Sequence, residues 1–95
     1  MNDAALVKMF KALANPNRLR LFEEIRRGES TEPMTAGCSL RKVINRLSIG
    51  APTVSHHLKE LVNAGLISTE RRGKFVHCTV NEGALDELET YFGTA

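Results

Sequence analysis

Side chains that can hydrogen-bond and pair with anions gather between residues 52 and 63. Drawn as a helix with about 100° per residue, this segment has one apolar side that must face a core: Val54, Leu58, Leu61 and Val62. Its first turn and opposite side supply the residues expected to contact a nucleic acid: Pro52, Thr53, Ser55, His56 and Lys59. Hydroxyl and imidazole groups can read base edges, whereas an ammonium group suits a phosphate. His57 lies nearer the apolar side, so we expect it to pack rather than to read bases.

A second group of cations follows in the chain, around Gly73. These cations are Arg71, Arg72 and Lys74. The flanking segments, 66–70 and 75–80, are rich in residues that favour β-strands, and Gly73 can supply the positive φ of a tight turn between them. We therefore expect a β-hairpin whose basic tip grips the sugar–phosphate backbone or the minor groove of a nucleic acid.

Charge is distributed unevenly along the chain, although the net charge is only +2. Residues 41–74 carry seven basic and two acidic side chains, whereas residues 75–95 carry four acidic side chains and no Lys or Arg. Such an asymmetry indicates an anionic partner for the middle of the chain. Together with the polar helix over residues 52–63 and the basic hairpin, this asymmetry favours double-stranded DNA as the partner.

The spacing of apolar residues predicts the elements that position these groups. Helices are expected over residues 3–14, 16–28, 39–47, 51–63 and 82–92. The second helix should place Leu19, Phe22 and Ile25 on its apolar side, with Leu21 alongside, and should end at Gly28, with a loop over residues 29–37. The third and fourth helices, joined by a short turn, form a helix-turn-helix, and the hairpin that follows adds a wing. The predicted fold is mostly α with a small β-hairpin, a winged helix-turn-helix of about five helices and two to three short strands.

Several stretches of the sequence resemble the ArsR/SmtB family of bacterial repressors. Residues 10–21, FKALANPNRLRL, are similar to the opening of these proteins. Residues 53–61, TVSHHLKEL, followed by 64–67, AGLI, and 72–74, RGK, are similar to their recognition helix and wing. The resemblance covers nearly the whole chain apart from residues 28–38. It implies a homodimeric winged-helix repressor that binds a palindromic operator and releases it when an inducer binds.

The resemblance also implies that the first and last helices form the dimer interface. The apolar residues expected there are Leu6, Met9, Phe10, Leu85, Leu88 and Phe92. A small domain cannot cover all of these side chains, and a two-fold operator suits a two-fold protein. The alternative is that they close over the core of their own subunit. In this interpretation residues 1–95 form one DNA-binding domain, with dimerisation helices at 1–14 and 82–95, a helix-turn-helix at 39–64 and a wing at 66–80.

Two metal sites of the resembled family lack their ligands in this sequence. The Cys-x-Cys pair of the family falls on Ser39 and Arg41, which are not ligands for soft metals. The site on the last helix uses histidine beside carboxylates, and residues 82–92 contain carboxylates but no histidine. We therefore predict no metal at these positions and no certain cofactor.

Two cysteines, Cys38 and Cys78, are the remaining reactive groups. In a winged helix, the segment before the third helix often forms a short strand that pairs with the second strand of the wing. This topology predicts that the two cysteines are neighbours. One interpretation is that Cys78 is a small buried hydrophobe beside Val76 and Val80. The other is a thiol sensor, in which the pair binds a thiophilic metal or metalloid, or is oxidised.

Composition excludes several classes of protein. With 95 residues, 42% of them hydrophobic, the chain makes one small domain with little room for the pocket of an enzyme. Ser55 and His56 are adjacent on a helix and point about 100° apart, so they do not form a nucleophile–base pair. No apolar stretch approaches the length of a membrane span, and no export signal is recognised, so we expect a cytoplasmic location without membrane contact.

The interpretation that accounts for most of these features is a transcriptional repressor. Its inducer stays open between a metalloid or oxidant sensed by Cys38 and Cys78 and an organic molecule bound near residues 28–37. A DNA-binding regulator that has no small inducer is the further alternative.

Overall fold

The computed structural model describes residues 3–31, 38–47 and 49–93, which form five helices and three strands. In chain order the elements are α1 (Asp3–Leu13), α2 (Pro16–Thr31), β1 (Cys38–Ser39), α3 (Leu40–Arg46), α4 (Ala51–Asn63), β2 (Ile67–Arg72), β3 (Phe75–Val80) and α5 (Glu82–Gly93). Helices α3 and α4 form the helix-turn-helix, and β2 and β3 form the wing. The predicted fold class is therefore confirmed.

Two asparagines fix where helices begin. The Asn15 Oδ1 atom accepts hydrogen bonds from the amides of Asn17, at 3.0 Å, and Arg18, at 3.1 Å, and so caps α2. Asn81 lies directly before α5, and its Nδ2 donates to the carbonyl of Gly65 at 2.8 Å. Gly65 has a φ of +79°, a conformation that favours glycine. Asn81 therefore connects the start of α5 to the turn that follows α4.

The second helix is longer than predicted. It passes through Gly28 and ends at Thr31, so residues 29–31 are helical rather than part of a loop. Gly28 is buried, and a glycine inside a helix costs only about 1 kcal/mol relative to alanine, which tertiary packing can offset. Of the residues predicted for the apolar side, Leu21, Phe22 and Ile25 are buried, whereas Leu19 is 41% exposed and does not face the core. The remaining predicted loop, residues 32–37, lies outside the described residues.

The three strands form an antiparallel sheet in the order β1-β3-β2. The short strand before α3 pairs with the second strand of the wing, as the topology predicted, with Cys38 opposite Cys78 and Ser39 opposite His77. The wing is tighter than predicted, because β2 continues through Arg72 and the turn is formed by Gly73 and Lys74. Gly73 has a φ of +62°, as expected for this turn.

Helix α2 lies at the centre of the molecule and contacts α1, α3, α4, β1 and β3. The large side chains that are less than 2% exposed come from α2, α3, α4, the turn before β2, and β3: Leu21, Ile25, Val43, Val54, Leu61, Leu66 and Cys78. The core thus holds α3 and α4 against the wing. None of the helices in the described residues is long and apolar enough to cross a membrane.

Candidate nucleic-acid interface

Helix α4 presents the predicted polar residues on its exposed side. Pro52, Thr53, Ser55, His56 and Lys59 are all exposed. The predicted apolar side is buried at Val54, Leu58 and Leu61, which are at most 7% exposed. Val62, also predicted to face the core, is 36% exposed because it lies at the edge of the apolar arc. The helix is therefore anchored through one side and leaves the other open to a ligand.

The first turn of α4 is well ordered by the backbone. Gly50 precedes the helix in an extended conformation, and its carbonyl accepts hydrogen bonds from the amides of Thr53 and Val54, both at 3.1 Å. Pro52 lies in the first turn, where its missing N–H leaves no backbone bond unmade. Because the helix dipole is positive at this end, the exposed hydroxyls stand where a negatively charged backbone is favoured.

His56 and His57 are adjacent but lie in different environments. His56 is exposed, whereas His57 is 9% exposed at the edge of the core, as its position on the helix predicted. Burial lowers the pKa of His57 below its ordinary value of 6.5. The positive charges of Arg18 and His56 lower this pKa further, against a weaker opposing effect of Glu60. His57 is therefore neutral at pH 7 and supports the position of α4.

The cations of the wing do not form one cluster at its tip. Lys74 is exposed in the turn, with its Nζ 5.8 Å from the centroid of the Phe75 ring. Arg71 and Arg72 belong to strand β2, where successive side chains point to opposite faces. Arg71 is exposed, whereas Arg72 is half-buried and its Nη2 lies 3.1 Å from Oε2 of Glu70. The prediction of three cations on a protruding turn is therefore wrong for the two arginines, and Lys74 alone occupies the turn.

A buried carboxylate that the sequence patterns do not predict connects α2 to α3. Glu24 is 8% exposed, and its carboxylate lies 3.0 Å from Nη1 of Arg27 and 3.5 Å from Nη1 of Arg46. Arg46 is in the last turn of α3, so this ion pair bridges the first helix of the helix-turn-helix to the central helix. The signal in the sequence is the spacing of Glu24 with Leu21 and Gly28 on one side of α2.

A basic cleft of about 250 Å³ between α1 and α4 was also not predicted. Its cations are Lys8, Lys11 and Arg18, and Glu60 and Asn63 of α4 line the opposite side. Arg18 is held in place because its Nε donates to the carbonyl of Ala12 at 2.7 Å. The cleft adds positive charge beside the exposed side of α4.

The residues predicted for dimerisation differ in how much of each is exposed. Leu6 and Met9 are buried in the core of the chain, at 7% and 2% exposure. Phe10, Leu85 and Leu88 are half-buried, and Phe92 is 71% exposed. Tyr91, which is not among the predicted residues, is 51% exposed beside Phe92.

The described part of the chain holds no group of three or more His, Cys, Asp or Glu residues that could bind a metal ion.

Comparison with known proteins decides the family. A profile for a helix-turn-helix domain matches residues 13–70. The chain is 32% identical over 79 residues to the transcriptional repressor SdpR of Bacillus subtilis, a match that covers 83% of this chain and 79% of that protein. The chain belongs to the ArsR/SmtB family of winged helix-turn-helix repressors.

Two further comparisons agree with membership of the ArsR/SmtB family. A probable mercury resistance operon repressor of Streptomyces lividans is 37% identical over 81 residues, which cover 85% of this chain and 58% of that protein. A crystal structure of an ArsR family transcriptional regulator superposes with a TM-score of 0.76 at 20% identity, covering 94% of this chain and 89% of the other. This ArsR/SmtB protein is a DNA-binding transcriptional regulator, and its family and fold are not those of an enzyme.

Proposed function

We propose that two copies of the chain form a repressor that reads a palindromic operator with α4 and releases it on an inducing signal. The observation that carries this proposal is the exposed polar side of α4, from Pro52 to Lys59, beside the basic wing. Within this side, Ser55 and His56 are positioned near the start of the helix, the end that enters the major groove in helix-turn-helix proteins. Thr53 and Lys59 flank them and suit phosphates.

The wing supplies the second part of the DNA contact. Exposed Lys74 at the turn and exposed Arg71 in β2 are the cations that we assign to phosphates. Arg72 contributes less, because its guanidinium is half-buried and paired with Glu70. Contacts from a helix and a wing on one subunit span a half-site, which makes a second subunit necessary for a palindrome.

Dimerisation is supported by an aromatic cluster on α1 and α5, formed by half-buried Phe10 and exposed Tyr91 and Phe92. The ring centroid of Phe10 lies 5.8 Å from the ring centroid of Tyr91 and 5.9 Å from that of Phe92. The ring centroids of Tyr91 and Phe92 lie 5.3 Å apart. Val7 of α1, 48% exposed, adds a further apolar side chain. Such a patch on a small protein is typical of a subunit interface, and we assign it to a homodimer. Leu6 and Met9 then support this surface from the core beneath it.

The same proposal assigns roles to the segments of the chain and a location to the protein. Residues 1–14 and 82–95 dimerise, residues 39–64 read the operator and residues 66–80 hold the phosphate backbone. A regulator of a bacterial operator acts in the cytoplasm, where the operator is.

Selection of bound duplexes from a random pool tests the proposed function. The full chain should enrich an inverted repeat whose half-sites are about 10 base pairs apart from centre to centre. The double variant Ser55→Ala, His56→Ala should lose this enrichment, whereas the control variant Glu87→Gln, on the exposed side of α5, should retain it. Failure of the unmodified chain to enrich any sequence would overturn the proposal.

A further inference from the structure

The two cysteines of the chain meet at one rung of the sheet. Cys38 of β1 lies directly opposite Cys78 of β3 in the antiparallel register. Cys78 is fully buried, at 0% exposure, in the central strand, whereas β1 is a two-residue strand at the edge of the sheet. With only two cysteines among 95 residues, their pairing at a single rung is an unusual coincidence for residues that serve only as packing.

The backbone at this rung suits a disulfide. Residues directly opposite in an antiparallel pair have Cα atoms about 4.5 to 5.5 Å apart. A disulfide accepts Cα separations of about 4.4 to 6.8 Å, so the bond can form without separating or refolding the strands. A metal site is less well supplied, because the residue opposite Cys78 on its other side is Thr69, a poor ligand for a soft metal.

We propose that Cys38 and Cys78 are a redox site that forms an intrachain disulfide with a low-molecular-weight disulfide as oxidant. The thiolate of Cys38, on the edge strand, attacks one sulfur of the oxidant and expels one small thiolate. The thiolate of Cys78 then attacks the sulfur of Cys38 in this mixed disulfide and expels the second small thiolate. The protein pair loses two electrons and two protons, and the oxidant is reduced to two thiols.

The bond changes the relation between the helix-turn-helix and the wing. A disulfide holds its Cβ atoms about 3.8 Å apart, so the rung must tighten by roughly 1 Å from the usual cross-strand spacing. Strand β1 leads directly into α3, and β3 is the second strand of the wing, so tightening draws α3 toward the wing. A groove between them, lined by Leu40, Ile44, Phe75 and Val76, has a volume of about 370 Å³ and gives room for this movement.

The expected consequence, which rests on the proposed function, is weaker operator binding after oxidation. The covalent loop from Cys38 to Cys78 contains α3, α4, β2 and the tip of the wing, which are the elements assigned to DNA. Because helix and wing must fit one half-site together, a displacement of α3 relative to the wing reduces the fit of both. We expect the affinity for the selected operator to fall about tenfold.

The test treats the full chain with oxidised glutathione and measures its intact mass, its amide NMR spectrum and its operator affinity. The mass should fall by about 2 Da with one Cys38–Cys78 linkage in the peptide map, and dithiothreitol should restore mass and affinity. Amide shifts should change in α3 and β3. The variant Cys38→Ala, which leaves the buried Cys78 in place, should bind the operator with the affinity of the reduced protein under both conditions.

Each outcome decides the proposal. Absence of the intrachain linkage after oxidation overturns it, and so does a linked protein whose operator affinity is unchanged. If the reduced protein binds no duplex at all, the proposed function fails, and the redox site is then judged by the mass and the amide shifts alone. Cys78→Ala serves as the second variant, and an oxidation response that persists in both alanine variants also overturns the proposal.

Discussion

Some side chains of α4 are assigned to contacts with DNA bases, and others hold the helix against the core. His56 is exposed on the side assigned to DNA, so the variant His56→Ala should lose discrimination between bases rather than general attraction to DNA. We expect its affinity for the selected operator to fall by about 1 to 3 kcal/mol while its affinity for a scrambled duplex changes little. Fluorescence anisotropy on the two duplexes at one salt concentration measures the difference. Equal losses on both duplexes would contradict base reading by His56.

His57 predicts a specific dependence of stability on pH. Burial and the charge of Arg18 lower its pKa in the folded protein below the ordinary 6.5. At a pH between the pKa of the folded protein and 6.5, the unfolded chain therefore binds more protons than the folded protein. The free energy of unfolding should therefore decrease as the pH falls below about 6.5. Chemical denaturation at pH 7.5 and pH 5.5 checks this, and His57→Gln should flatten the profile whereas Lys59→Gln, at an exposed position of the same helix, should not. An unchanged slope in His57→Gln would show that another group titrates.

Among the secondary-structure elements, the wing gives a prediction that depends on its register. Because Arg71 and Lys74 are exposed, each alanine substitution should reduce the salt dependence of DNA binding by about one phosphate contact. Arg72→Ala should have a smaller effect, because Arg72 is already paired with Glu70. The measurement is the slope of the logarithm of affinity against the logarithm of salt concentration. Equal salt slopes for the three alanine variants would show that Arg72 contacts DNA as much as Arg71 and Lys74 do, as the sequence alone predicts.

The connection between α2 and α3 is the second prediction for an element. Glu24→Gln removes the charge that faces Arg27 and Arg46 in a mostly buried position, and should lower the free energy of unfolding by about 1 kcal/mol. Its matched control is Glu23→Gln, which changes an exposed neighbour on the same helix and should have little effect. Urea denaturation measures the free energy of unfolding of both variants. Equal values would show that the charge of Glu24 does not stabilise the packing of α3 against α2.

Local patterns in the sequence predicted most elements, and tertiary partners explain the differences. The buried side of α4 and the strand at Cys38 follow from periodicity and topology. The prediction for the tip of the wing is wrong because the ends of its strands depend on pairing across the whole hairpin, which composition alone does not define. Glu24 was missed because its partner Arg46 lies on another helix. In α2, packing carries the helix through Gly28, where intrinsic propensity predicted an end.

For the molecule as a whole, the aromatic cluster on α1 and α5 predicts a dimer. Phe92→Glu places a charge in this apolar surface and should convert the protein to a species of one chain, 10.5 kDa by light scattering. We expect the loss of the second subunit to weaken binding to an inverted repeat by roughly 100-fold or more. Glu89→Gln on the same helix is the control. A Phe92→Glu variant that keeps the mass and affinity of the unmodified protein would move the interface elsewhere.

The assignment of α4 and the wing to a two-fold operator is tested most directly by binding specificity and stoichiometry measured together. The selected inverted repeat and a scrambled duplex of the same length are titrated with the full chain at about 0.15 M salt. We predict that the inverted repeat binds roughly 1,000-fold more tightly or better, with two chains on each duplex. Equal affinities for the two duplexes, or a single chain bound to the inverted repeat, would contradict the proposed function.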